Sequence, residues 1–153
     1  FLRGFEIMSK KIENSMLVMW TVAFVATLGS LYFSEIREYE PCKLCWVQRI
    51  FMYPIAIIMT VAYIQKNPRI VVTTLVFSII GGCISAYHYA IQKIDLFQDN
   101  AIACGAVPCT GMYINWFGFV TIPFLALTAF VILTAVGFYI LKQLKQEEVE
   151  EEE

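Results

Sequence analysis

The stretch Pro41-Cys42-Lys43-Leu44-Cys45-Trp46-Val47-Gln48-Arg49, running on through residues 50–64 with no further charge, decides how this chain folds. A bilayer core about 30 Å thick needs roughly 20 consecutive apolar residues to cross as a helix. Residues 46–64 meet that requirement with one charge, Arg49. Working outward, residues 15–33, 70–91 and 117–141 contain no Asp, Glu, Lys or Arg at all. The 153 residues are 59% hydrophobic and 16% charged, too apolar for a soluble domain of this size. The expected fold is therefore all-α: a polytopic membrane protein built as a four-helix transmembrane bundle. A net charge of −2 gives no footing for nucleic-acid binding. Residues 15–33 are too long for a signal-peptide core and lack a small-x-small exit site, so they are expected to remain as a span.

Basic residues set the expected orientation. Arg3, Lys10, Lys11, Lys66, Arg69, Lys142 and Lys145 fall on one side of the spans. Arg37, Lys43 and Lys93 fall on the other, with Arg49 just inside the membrane. The positive-inside rule then predicts both termini in the cytoplasm and both cysteine-bearing loops on the outer face. The domain plan is a cytoplasmic segment 1–14, a single membrane domain 15–145 with outer loops 34–45 and 92–116, and an acidic tail 146–153. Residues 1–7 precede Met8-Ser9-Lys10-Lys11, which reads as a natural start, so they are expected to be an added remnant. The Glu-rich end is expected to be solvated and irregular. Asn67-Pro68 predicts a tight turn between spans two and three. Small residues at Ser78, Gly82, Ala86 and Ala90 are expected to let a neighbouring backbone approach span three. Pro54 and Pro123 are expected inside spans two and four. Tyr113, Trp116 and Phe117 are expected to form an interfacial aromatic belt.

The chemistry-bearing residues lie in the outer loops and the ends of the spans beside them. Cys42 and Cys45 form a Cys-x-x-Cys pair at a predicted helix N-terminus, where unsatisfied N–H groups and the helix dipole favour a thiolate. Cys104 and Cys109 close a short Gly- and Pro-containing loop, expected to be exposed and open to attack by a partner's thiolate. Four outer cysteines allow three pairings, and spacing favours Cys42–Cys45 with Cys104–Cys109. A static disulfide, or a zinc site made from these cysteines, is the structural alternative. Arg49 follows Cys45 by one helical turn on the same face. An intramembrane arginine is a functional candidate by default, against the plainer reading that it snorkels to the headgroups. In the functional reading it hydrogen-bonds a quinone carbonyl and stabilises the charge that develops on reduction, with Gln48 helping to orient the ring. His88, the one histidine, stands near the outer end of span three, either as a structural hydrogen-bonded residue or handling protons near the quinone. Cys83, deeper in span three, is expected to be inert. No metal is assigned. A reductive relay is disfavoured because no cysteine falls on the cytoplasmic side of the predicted topology.

These residues carry a resemblance. Gly29-Ser30-Leu31-Tyr32-Phe33-Ser34-Glu35-Ile36-Arg37, the Pro41-to-Arg49 stretch and Tyr113-Ile114-Asn115-Trp116-Phe117-Gly118-Phe119 resemble the DsbB/BdbC family of membrane thiol oxidoreductases, nearest the short Gram-positive BdbC type. The likeness covers nearly the whole of residues 8–145. It implies that Cys42 and Cys45 exchange electrons with a quinone, menaquinone rather than ubiquinone. It implies further that Arg49 contacts the quinone and that His88 falls near it. Cys104 and Cys109 would form the pair attacked by a soluble thioredoxin-like oxidase of the DsbA/BdbD type. The second outer loop is much shorter than in Gram-negative members and its cysteine pair is local, a departure that bears on partner docking and on the interloop disulfide intermediate.

Overall fold

The computed structural model describes residues 8–94, 96, 109–111 and 114–152. Four helices long and apolar enough to cross a membrane account for most of them. Helix α1 spans Lys10–Leu31 and passes into a π-helical turn, Tyr32–Ile36. Helix α2 spans Lys43–Ile64, α3 spans Val71–Lys93 and α4 spans Ile122–Glu152. Among the described residues there is no strand, only an isolated bridge between Trp116 and Val120. The chain is an all-α, four-helix membrane bundle, as the hydropathy pattern predicts.

Each helix packs along two others: α1 on α2 and α4, and α3 on α2 and α4. Met16, Met19 and Ala23 of α1, Ile55 and Met59 of α2, and Phe130 and Leu133 of α4 meet in the buried centre. A polar tie crosses the bundle where Trp20 Nε1 donates to Thr60 Oγ1 at 2.8 Å. The turn between α2 and α3 is built as Asn67-Pro68 predicts. Lys66 takes a positive φ of 50°, and the Asn67 side chain accepts from the Arg69 N–H. Pro68 then opens a short 3₁₀ turn, Pro68–Ile70, that feeds α3.

Three expectations about the helices need correction. The close approach on α3 occurs at Gly81, where an added Cβ would sit 2.4 Å from the Phe130 ring; at Gly82 it would sit 3.5 Å from the nearest atom. The buried line of α3 runs through Thr74, Ser78, Gly81, Ser85, His88 and Gln92, while Ala86 is exposed. A four-residue spacing drifts by about 40° per step on a 3.6-residue helix, so a stripe that starts on the buried face leaves it. Pro123 lies in the first turn of α4 and not inside it, because α4 begins at Ile122. Its missing N–H would have had no partner there. Ahead of it, residues 116–120 make a tight turn with Phe117 and Gly118 both at positive φ. Finally, the acidic end stays helical through Glu152. Residues 142–147 are strong helix formers with no Gly or Pro to stop the run. Glu148 pairs with Arg69 at 3.3 Å, an exposed contact that contributes at most about 1 kcal/mol.

Candidate functional site

The start of α2 is the centre of the site. Pro41 precedes the helix and Cys42 is its N-cap residue, with extended backbone at φ −70° and ψ 172°. Cys42 therefore stands where the free N–H groups of the first turn gather. Cys45 follows one turn later, and the two sulfur atoms lie 3.4 Å apart as free thiols. A disulfide needs an S–S distance of about 2.05 Å, so this is the reduced form of the pair.

Below the pair the helix has two chemically different faces. Cys45 and Arg49, spaced by four, share one face and line a cavity of about 510 Å³ between α1, α2 and α4. Ser30, Met52, Leu125 and Phe130 contribute further walls. Arg49 does not reach freely toward the membrane surface. Its Nη2 donates to the Ser30 carbonyl at 3.2 Å, and its guanidinium lies 5.4 Å from the Trp46 ring centroid. Tyr53 in turn donates to the Ser30 hydroxyl at 3.3 Å. The cavity wall is thus mostly apolar, with the Arg49 cation and the Cys45 sulfur on the α2 side and a few polar side chains, Glu40 and Gln48 among them, in its lining.

The other face holds a buried polar cluster. Gln48, itself buried, places Nε2 3.0 Å from Nδ1 of His88. The His88 ring is 1% exposed, and its Nε2 lies 3.1 Å from the Cys109 carbonyl oxygen and 3.7 Å from the Cys42 sulfur. With the Gln48 amide donating to Nδ1, the ring proton sits on Nε2 and is shared between the carbonyl and the sulfur. Gln92, one turn after His88, donates to the carbonyls of Cys109 at 3.4 Å and Gly111 at 3.1 Å. His88 and Gln92 together clamp the backbone of the second cysteine centre against the first.

Cys42 precedes the spanning segment and its thiol is drawn down to about 4 from a usual value near 9. The hydrogen bond from the Cys45 thiol is the largest cause, burial opposes it, and His88 adds a smaller stabilisation. Cys42 is accordingly the thiolate of the reduced pair.

The sequence-predicted residues divide as follows. Cys42, Cys45, Gln48, Arg49, His88 and Cys109 come together at one end of the bundle. Cys104 lies outside the described residues, as does Tyr113. Cys109 is disulfide-bonded and only 2% exposed, so it is not the open point of attack expected of its loop. Burial follows from the clamp on its carbonyl. His88 is absent from the cavity wall and faces Cys42 and Cys109 instead. Gln48 touches both regions, but its amide nitrogen is directed to His88. Cys83 is exposed on α3, remote from these groups by the helix register, and has no place in the site. Sequence reasoning missed Gln92, Tyr53 and the Ser30 carbonyl. Gln92 carried a signal: it is a polar residue four positions after His88 at the end of an apolar span.

A dithiol at the mouth of a four-helix membrane bundle, with a second cysteine centre clamped beside it, defines a membrane thiol oxidoreductase. The family model described as "Disulfide bond formation protein DsbB" matches residues 13–140. The "Probable disulfide formation protein C" of Halalkalibacterium halodurans is 57% identical over 136 residues, covering 89% of this chain and 99% of that protein. The "Disulfide bond formation protein C" of Bacillus subtilis is 53% identical over 114 residues, covering 74% of this chain and 83% of that one. The "SPbeta prophage-derived disulfide bond formation protein B" of the same organism is 33% identical over 143 residues, covering 90% and 95%. No solved structure matches the chain. The chain belongs to the DsbB family and has a DsbB-type role in disulfide-bond formation.

Proposed function

We propose that this chain reoxidises a thioredoxin-like thiol oxidase on the outer face of the plasma membrane and delivers the electrons to a membrane quinone, menaquinone rather than ubiquinone. The observation that carries this reading is the position of the dithiol. Cys45 and Arg49 open onto an apolar cavity, while Cys42 backs onto the clamp that holds Cys109. A volume of about 510 Å³ falls within the roughly 300–1,000 Å³ of ordinary small-molecule sites. A mostly apolar wall with the Arg49 cation beside the Cys45 sulfur suits a flat, uncharged ring bearing carbonyl acceptors.

The chain's own chemistry proceeds in two exchanges. A reduced partner attacks the Cys104–Cys109 disulfide, and a mixed disulfide resolves to leave the partner oxidised and the loop pair reduced. A loop thiolate then attacks Cys42 of the Cys42–Cys45 disulfide, and Cys45 leaves as a thiolate beside Arg49. The second loop thiolate closes Cys104–Cys109 again, so the electron pair now resides on Cys42 and Cys45. His88 Nε2–H steadies the charge on Cys42, and the buried setting keeps bulk water from the exchange. When bound, a quinone supplies the terminal acceptor, taking two electrons and two protons as the pair returns to a disulfide. That acceptor matters energetically, since about 30 mV in a two-electron couple corresponds to roughly 1.4 kcal/mol.

The deciding experiment is Cys42→Ser in the full chain. The variant inserts and folds, accumulates reduced Cys104 and Cys109 when mixed with reduced oxidase, and passes no electrons to quinone. Turnover equal to that of the unaltered protein would end this assignment.

A further inference from the structure

The dithiol and His88 compose a second kind of centre. The sulfur of Cys42 lies 3.4 Å from that of Cys45 and 3.7 Å from Nε2 of His88. All three atoms fall within 4.8 Å of one another. In tetrahedral zinc sites Zn–S is about 2.3 Å and Zn–N about 2.0–2.1 Å, which makes the ligand–ligand edges about 3.6–3.8 Å. The Cys42–Cys45 and Cys42–His88 separations in the protein differ from those edges by a few tenths of an ångström, and the third edge, Cys45 to His88, is no longer than 4.8 Å. We propose that the reduced protein binds a thiophilic divalent cation, zinc above all, through Cys42, Cys45 and His88, and that oxidation of the pair abolishes the site.

The chemistry of the three donors supports this gating. Two thiolates and an imidazole are the donor set that zinc selects. Binding displaces the remaining thiol proton and moves no electrons. In the disulfide the sulfurs stand about 2.05 Å apart and carry no charge, so two of three ligands vanish at once. Gln48 supplies the outer support that metal-bound histidines require. Turned so that its amide oxygen accepts from Nδ1–H, it leaves the Nε2 lone pair facing the sulfurs. Three protein ligands leave a fourth position open to water, the pattern of an exchangeable ion and not of a closed structural site. Cys42 and His88 are buried, so an ion enters from the end of the bundle where Cys42 precedes the spanning segment, beside exposed Lys43.

Binding also has a structural consequence. His88 Nε2 cannot hold an ion and donate to the Cys109 carbonyl together. The ion therefore removes one of the two side chains that clamp the second cysteine centre, leaving Gln92 alone. Zinc would both mask the dithiol and loosen its neighbour. This inhibitory effect rests on the proposed function; the binding itself does not.

The test is a titration of the full chain in detergent, with Cys83, Cys104 and Cys109 replaced by Ser so that one thiol pair remains. Anaerobically reduced protein is expected to bind Co²⁺ one to one with a thiolate-to-cobalt charge-transfer band, which Zn²⁺ bleaches. Oxidising the pair beforehand removes the band, and Cys42→Ser or Cys45→Ser removes it in the reduced protein. His88→Ala weakens Co²⁺ binding at least tenfold. X-ray absorption of the zinc-loaded protein, which needs no His88 variant to fold, shows two sulfurs with nitrogen or oxygen completing the shell. Absence of the band in reduced protein, its persistence after oxidation, unchanged affinity in a folded His88→Ala, or a shell without sulfur would each overturn the site. Intact cobalt binding in the protein with the three Ser replacements, together with failure of the unaltered chain, all five cysteines present, to oxidise a reduced thioredoxin-like partner, would leave the site standing and remove the proposed function.

Discussion

The first turns of α2 look onto two chemically different surroundings. On the cavity face, Cys45 and Arg49 look onto apolar side chains, and Arg49 is fixed through the Ser30 carbonyl and the Trp46 ring. On the opposite face, Cys42, Gln48, His88, Gln92 and the Cys109 carbonyl form a buried chain of polar groups. A helix turn of three residues separates the two sulfurs, so one pair can serve both environments. The cavity face offers charge to an uncharged ring, and the polar face offers hydrogen bonds to a thiolate. That division predicts separable defects.

The largest effect, shared by both faces, is loss of the dithiol itself. Cys45→Ser and Cys42→Ser should each reduce turnover to background, yet differ in what accumulates. Cys42→Ser stalls with the loop pair reduced, whereas Cys45→Ser leaves Cys42 free to trap a mixed disulfide with a loop cysteine. Gel shifts after thiol alkylation distinguish the two, and identical products would break the assignment of different roles to the two sulfurs.

Arg49→Met should come next in size. Hydrogen bonds to charged groups contribute about 1.5–3 kcal/mol, equivalent to roughly 10–100-fold in the apparent KM for quinone. Exchange between the loop pair and the dithiol, measured as a single turnover without quinone, should stay within about twofold. A variant that loses both steps equally would show that the faces are not independent.

His88→Ala strikes the opposite face. It leaves the Gln48 amide without its buried partner, at about 1–3 kcal/mol for a group left unsatisfied, while the Cys109 carbonyl keeps the Gln92 amide. Its second readout is pH. The Cys42 thiolate of the reduced protein should titrate near 4 by ultraviolet absorbance, and the midpoint should rise in this variant. It should rise further in Cys45→Ala, because the Cys45 hydrogen bond is the larger cause. The sign for stability follows from a depressed pKa: the stabilisation is full above the ordinary thiol value near 9 and is lost as pH falls toward 4. Reduced protein should therefore melt at lower temperature as the medium is acidified through that window, relative to Cys42→Ser. A flat difference between the two would remove the thiolate from the account.

How much of this was legible beforehand depended on whether the information was local. The four spans were legible because a charge-free run of bilayer length leaves few other folds. The dithiol at a helix start was legible because Pro41 and the Cys-x-x-Cys spacing are adjacent in sequence. Arg49 on the face of Cys45 followed from helix periodicity alone. The side on which His88 stands was not legible, since it depends on how α3 rotates against α2. Helix rotation also moved the close approach from Gly82 to Gly81, where Phe130 of α4 fills the gap. The burial of Cys109 depended on Gln92 and His88 reaching across from another helix. Where the partner is distant in sequence, a single chain gives the residue type and not its neighbour.

Gln92 supplies the smallest and most discriminating break. Its amide donates to two carbonyls of the loop, but His88 still holds the Cys109 carbonyl when it is gone. Gln92→Leu keeps volume and helix propensity while removing about one net hydrogen bond, at roughly 1 kcal/mol. The expected result is a slowing of loop-to-dithiol exchange by about fivefold, with the quinone KM and the Cys42 titration unchanged. The double variant Gln92→Leu with His88→Ala should lose more than the sum, because each residue compensates for the other at one oxygen atom. Strict additivity would mean that the two side chains do not share the Cys109 carbonyl as a common load, and the clamp would then be a packing feature without a part in the exchange.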